Sequence, residues 1–288
     1  MTRLACVLLA SALAFSAQAQ IPVKIYGQEL IDRVVAKNPD LLVAVMHVTP
    51  PKSPDNVIIA SNIGRIGKLG DEDDLRVINT GKPNLEVGHG GNRFEVELVL
   101  RDVAGETIGA LGLVWPYKAG QDKAPFEKKA HQIRDALAGR ILNAANLMDS
   151  YPFERLATTR TYAQKLVEQA VAAHPEVTVL AMRGPARGGA EIVVLGSTFG
   201  RHGKRADADD MKIFASSEPA IGIYSNGKRF GVDLQLRDAI GKTVGTMNVG
   251  YAYQQGDDQK ALLARAVGLR DELRKRIASA EALDELDP

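Results

Sequence analysis

From Arg93 to Arg101 the chain alternates strictly. Phe94, Val96, Leu98 and Leu100 fall on one side, and Arg93, Glu95, Glu97 and Val99 on the other. A period of two predicts a half-buried β-strand. Asp102-Val103-Ala104-Gly105 is a hairpin turn, and Ile108 to Trp115 is its return strand. That strand is lopsided: Leu111, Leu113 and Trp115 are bulky, while Ala110 and Gly112 on the opposite face are small. Such a strand packs helices on one face and leaves a hollow over the other. Upstream, Tyr26, Leu30, Val34 and Val35 put an apolar stripe on a helix over Tyr26 to Lys37, stopped by Pro39. Strands are expected at Leu41 to Val48 and Val57 to Ala60, with a proline-rich turn between. Asp71 is placed to cap a short helix that Gly81 and Pro83 end, and Leu85 to Val87 reads as a short strand. Gly120 to Leu147 reads as one long closing helix with a stripe of Phe126, Ala130, Ile133, Leu137 and Ile141.

The whole pattern is then repeated 136 positions later. Ser61-Asn62-Ile63-Gly64-Arg65-Ile66-Gly67-Lys68 returns as Ser197-Thr198-Phe199-Gly200-Arg201-His202-Gly203-Lys204. The same offset pairs Tyr26 with Tyr162, Arg93-Phe94 with Arg229-Phe230, and Leu100-Arg101-Asp102 with Leu236-Arg237-Asp238 without a gap. A period this long means two whole domains, since solenoid units are far shorter. The copy's closing helix is expected over Asp257 to Leu283. The fold class is therefore α+β, as two tandem modules, each an antiparallel sheet flanked by a first helix and a long last helix. The expected layout is 1–19 signal peptide, 20–148 first module, 149–161 linker and 162–288 second module.

Composition narrows the function classes. Arg3, an apolar run from Leu4 to Phe15 and Ala17-Gln18-Ala19 form a secretory signal, so a periplasmic, exported chain starting at Gln20 is expected. Its removal takes Cys6, the one cysteine, and with it any thiolate chemistry. It also takes Arg3 and leaves 35 cations against 35 acids. That balance argues against nucleic-acid binding. His47, His89, His131, His174 and His202 do not recur at matching positions and read as surface residues. No catalytic signature recurs in both copies, so the chain is expected to be no enzyme and to need no cofactor or metal.

The loop Ser61 to Lys68, together with the hairpin Leu236 to Tyr251, resembles extracytoplasmic PAS-like sensor domains of the Cache superfamily, above all the periplasmic domains of citrate and dicarboxylate sensor kinases. The resemblance implies a sensor-like sheet domain with a ligand pocket, acting with a membrane partner. Two features depart from it. Those sensors run on into a membrane helix and a kinase, whereas this sequence carries neither. They also clamp carboxylates with an Arg-x-Lys on the strand before the hairpin, where this chain has Glu95-Val96-Glu97 and Gly231-Val232-Asp233. Acids there repel a carboxylate in a desolvated pocket.

The candidate ligand-binding residues follow from both lines. Arg65, Lys68, Arg201 and Lys204 are loop cations, and Glu95, Glu97, Asp233 and Asn248 lie on the small-residue face. A bland alternative has the cations pairing with Asp73, Asp74, Asp209 and Asp210 to fix the loop. The expected partner is a small organic ligand: an amino acid, an amine or an organic acid. The second pocket, with Gly231 in place of Glu95, is expected to be the roomier. The other reading is an envelope assembly module whose sheet faces bind protein.

Overall fold

The computed structural model describes residues 23–287, so the segment expected to be a signal peptide lies outside the described residues. The first module contains α1 (Tyr26–Lys37), β1 (Val43–Val48), β2 (Val57–Ser61), α2 (Glu72–Thr80), β3 (Asn84–Gly88), β4 (Arg93–Arg101), β5 (Thr107–Pro116), α3 (Ala124–Ala138) and α4 (Ala144–Leu147). The second contains α5 (Tyr162–Ala173), β6 (Val177–Pro185), β7 (Ile192–Ser197), α6 (Ala208–Ala215), β8 (Ala220–Tyr224), β9 (Arg229–Arg237), β10 (Thr243–Ala252) and α7 (Gln259–Leu273). Both sheets are antiparallel and five-stranded, in the orders β2-β1-β5-β4-β3 and β7-β6-β10-β9-β8. Strands β3, β4 and β5 start 136 residues before β8, β9 and β10, while β1 and β2 start 134 and 135 residues before β6 and β7. Among the described residues, no helix is long and apolar enough to cross a membrane.

Each sheet carries its own core on the bulky face. Phe94, Val96, Leu98, Leu100, Leu111 and Trp115 pack under α1 and α3. Phe230, Val232, Leu234, Leu236, Met247 and Tyr251 do the same under α5 and α7. Burying each large apolar side chain contributes about 1.5–3 kcal/mol, which is what holds helices to sheet. Several repeated polar residues are structural. Gln28 accepts from Ser61 N at 2.9 Å and Gln164 from Ser197 N at 2.8 Å, clipping each first helix to its second strand. Asp102 accepts from the Ala104 and Glu106 amides at 2.9 and 3.0 Å, and Asp238 closes the second hairpin in the same way. Capping boxes join Asp71 to Asp74 and Asp207 to Asp210.

The sequence pattern differs from the structure in three places. Ile31 is fully buried on α1, while Val35 is only half-buried. The long closing helix is broken: α3 ends at Ala138, and α4 restarts after Asn143 caps it. The break lets the Ile141 carbonyl accept from Val103 N at 2.8 Å, and Ile277 accepts from Ala239 N at 2.9 Å in the copy. The linker is not a free tether. Tyr151 N donates to Lys24 O at 2.8 Å, and the Tyr151 ring meets His202 edge-on at 6.1 Å between centroids.

The modules meet head to tail. The second module's loop, Phe199 to Lys204, is seated on the first. Tyr26 Oη donates to Thr198 O at 3.4 Å, Asn146 Nδ2 to Phe199 O at 3.1 Å, and Arg201 Nε to Asp149 at 2.7 Å. Val103 and Leu142 of the first module pack on Val179, Ala181 and Phe199. Lys228 pairs with Glu106 at 2.7 Å, and Arg140 lies 3.9 Å from Glu168. The joint buries His202, which packs between the linker and Gln164.

Candidate functional site

The small-residue face of each sheet is open between the loop and the short helix. In the first module the chain after Ser61 turns back on β2: Gly67 N donates to Ile58 O, and Ile58 N to Lys68 O. Gly64, Arg65 and Gly67 all hold positive φ, so the glycines serve the turn. The folded-back loop roofs a cavity of about 310 Å³ lined by Arg65, Lys68, Glu95 and Glu97. The copy encloses about 630 Å³, lined by Arg201, Lys204, Asp233 and Asn248. All eight candidate residues therefore converge on two equivalent cavities, and the second is the larger. Ala110 is the exception among the expected neighbours: it is buried under α2 with Val77 and Val99.

The loop cations do not pair with the acids expected to hold them. Asp73 binds Arg76 at 2.8 Å and Asp209 binds Lys212 at 2.7 Å. Lys68 lies 3.9 Å from Asp71, and Arg201 is taken up by Asp149 across the joint. Arg201 lines the second cavity, but its Nε is engaged in holding the modules together.

Sequence reasoning missed one lining residue of each cavity. His47 and Arg183 occupy equivalent positions on β1 and β6, and each faces the acid at the start of the short helix. His47 Nδ1 lies 3.2 Å from Asp74, and Arg183 Nε 3.0 Å from Asp210. Both line their cavities. His47 and His202 were expected at the surface; both are buried, His47 because it shares the strand face of Val45 and His202 because the joint covers it. The signal for His47 was strand parity. It is two residues from Val45, whose partner on β5 is Gly112.

Electrostatics separate the two cavities. In the first, Glu97 is only 4% exposed, pairs across β5 with Gly112, and has one carboxyl oxygen without a hydrogen-bond partner. Burial, with the Asp74 carboxylate beside it, pushes its acid up to about 9. Burial and then the neighbouring acids raise Glu95 as well. Burial lowers His47 despite the Asp74 charge. In the second, Asn248 donates to Asp233 at 2.7 Å. Burial raises Asp233, while Asn248 and Arg183 oppose the rise. Arg183 and Arg229 each bury one guanidinium nitrogen without a partner. The first cavity is thus rich in acids, and the second offers acids and guanidinium donors together.

No family model matches this chain, and no curated protein matches it. Solved structures do match at low similarity. The inducer-binding domain of the PobR transcription factor from Acinetobacter is 12% identical, with a TM-score of 0.29, over 42% of this chain and 100% of its own. The PelD fragment of Pseudomonas aeruginosa is 16% identical, with a TM-score of 0.28, over 89% of this chain and 79% of its own. The E. coli DhaR(N)–DhaL complex is 11% identical, with a TM-score of 0.30, over 80% and 85%. At this level of similarity no function carries over from these proteins.

Proposed function

We propose that the chain is an exported, non-enzymatic binding protein that holds a small polar ligand in its second module and acts with a membrane partner, in the manner of Cache sensor domains. The observation that carries this is the second cavity. It is lined by the guanidinium side chains of Arg183 and Arg229, and by an Asp233–Asn248 pair on the floor strands, in about 630 Å³. Donors for an anionic group and an acid for an ammonium group within one cavity suit a zwitterion such as an amino acid better than a tricarboxylate. The signal-like pattern of Arg3, the apolar run Leu4 to Phe15 and Ala17-Gln18-Ala19 supports export.

A thermal-shift screen of the whole chain against amino acids, amines and organic acids is expected to find a ligand that raises the midpoint by mass action. Calorimetry then assigns the site. Asp233→Ala and Arg183→Ala are each expected to weaken binding by about 2–5 kcal/mol, the usual cost of removing one partner of a buried charged contact. Arg201→Ala should act mainly on the joint. Undiminished affinity in both cavity variants, with the fold intact, would move the site elsewhere.

A further inference from the structure

Because the chain is one module written twice, its internal joint has two unused halves. In the joint, the first module presents Tyr26, Arg140 and Asp149, and the second presents its loop. By the 136-residue offset, the second module carries the corresponding presenting positions at Tyr162, Arg276 and Glu285, with Ala282 in place of Asn146, and the first module the corresponding receiving loop at Ile63 to Leu69. Arg276 and Glu285 are exposed and Tyr162 is half-buried on the presenting side, and the receiving loop is open. Phe199 and His202 are 7% and 3% exposed under the first module, but their equivalents Ile63 and Ile66 are 46% and 59% exposed, and Leu69 beside them is 59% exposed. Ile63 and Ile66 are therefore uncovered where their equivalents are covered, and Leu69, whose equivalent Arg205 is itself exposed, adds a third apolar side chain to the same loop.

The charges favour one occupant. The joint pairs Arg201 with Asp149; the unused halves retain Arg65 and Glu285, the same signs at the same places. The joint sets Arg140 near Glu168; the unused halves retain Arg276 and Asp32, although Asp32 also binds Lys24. Tyr162 is retained for Tyr26, and its hydroxyl donates to Arg276 O as Tyr26 donates to Arg140 O. The third ion pair, Lys228 with Glu106, is not retained, since Asn92 and Lys242 stand there. Val103 and Leu142 shrink to Ala239 and Ala278, but Ile240, 88% exposed at the tip of the second hairpin, adds an apolar group on the same turn.

We propose that the receiving loop of the first module, Ile63 to Leu69 with Arg65, docks the Tyr162–Arg276–Glu285 face of a second copy of this chain. The contact is heterologous, so it propagates as an open chain of molecules unless the rotation closes a ring. Each added copy covers the apolar loop and approaches the first cavity, as Leu142 lines the second. The proposal does not depend on the ligand reading.

Sedimentation velocity of the purified chain from micromolar to millimolar concentration tests it. The expected result is concentration-dependent growth that salt suppresses. Arg65→Glu and Glu285→Arg should each weaken association at least about tenfold, because each sets like charges against one another in a partly desolvated contact. The double variant should recover it, which a merely structural effect would not do. All four proteins should keep one thermal unfolding profile, since both positions are exposed. A chain that stays monomeric throughout overturns the proposal and leaves the loop to a different protein. Assembly indifferent to both single variants, or not recovered by the double, overturns it as well.

Discussion

Alanine at Gly200 is expected to cost the protein about 3 kcal/mol, and alanine at the equivalent Gly64 only about 1. Both glycines hold left-handed backbone, at φ +74° and +76°, so both substitutions impose the same local strain of about 1–2 kcal/mol. They differ in surroundings. A methyl group on Gly200 would come within 2.9 Å of two Tyr26 ring atoms, whereas one on Gly64 meets nothing within 4 Å. Tyr26 cannot easily give way. It is buried, tilted against the Tyr151 ring, and hydrogen-bonded to Arg140 O and Thr198 O. Overpacking a fixed contact typically costs a further 1–3 kcal/mol. Chemical denaturation of the two variants, followed by circular dichroism, isolates the joint by difference. Equal losses would mean that Tyr26 moves aside and that the joint contributes little. The same experiment asks whether the two cores unfold together, because a joint of this kind couples modules that otherwise bury their own apolar faces.

What was legible in the sequence was whatever both copies share. Arg65, Lys68, Arg201 and Lys204 stood out because the loop recurs, and Glu97 and Asp233 because strand parity puts them opposite the small residues of the return strand. What differs between the copies was harder to read. His47 and Arg183 do equivalent work against Asp74 and Asp210, yet they share no residue type. The helix break was invisible because Phe126, Ala130, Ile133, Leu137 and Ile141 keep a helical period straight through it. The chain departs there to satisfy a hairpin amide, a tertiary demand that no local pattern records. The joint was hidden for a similar reason. Phe199 in place of Ile63 and His202 in place of Ile66 look like ordinary loop variation until their burial is seen.

Stability is expected to fall at both ends of the pH scale, through different residues. Glu97 governs the alkaline side. In the unfolded chain it ionises near the ordinary glutamate value of about 4.3, whereas in the fold it ionises at about 9. Between those values the folded state holds a proton that the unfolded state has released. Stability therefore declines as pH rises through that window, by at most about 1.4 kcal/mol per pH unit for a single proton. The histidines govern the acid side. Burial depresses His202 to about 4 and lowers His47 as well. Their contribution is complete above about pH 6.5 and is lost as pH falls towards the folded values, where the unfolded chain binds protons that the fold refuses. Glu97→Gln keeps the shape and removes the titration, so it should flatten the alkaline decline and leave the protein more stable than the parent at pH 8. Denaturant midpoints of parent and variant between pH 5 and 9 measure this. Parallel curves would show that Glu97 is ionised in the fold at neutral pH. The first cavity would then carry a full buried negative charge, a stronger attraction for an ammonium group than the neutral acid offers.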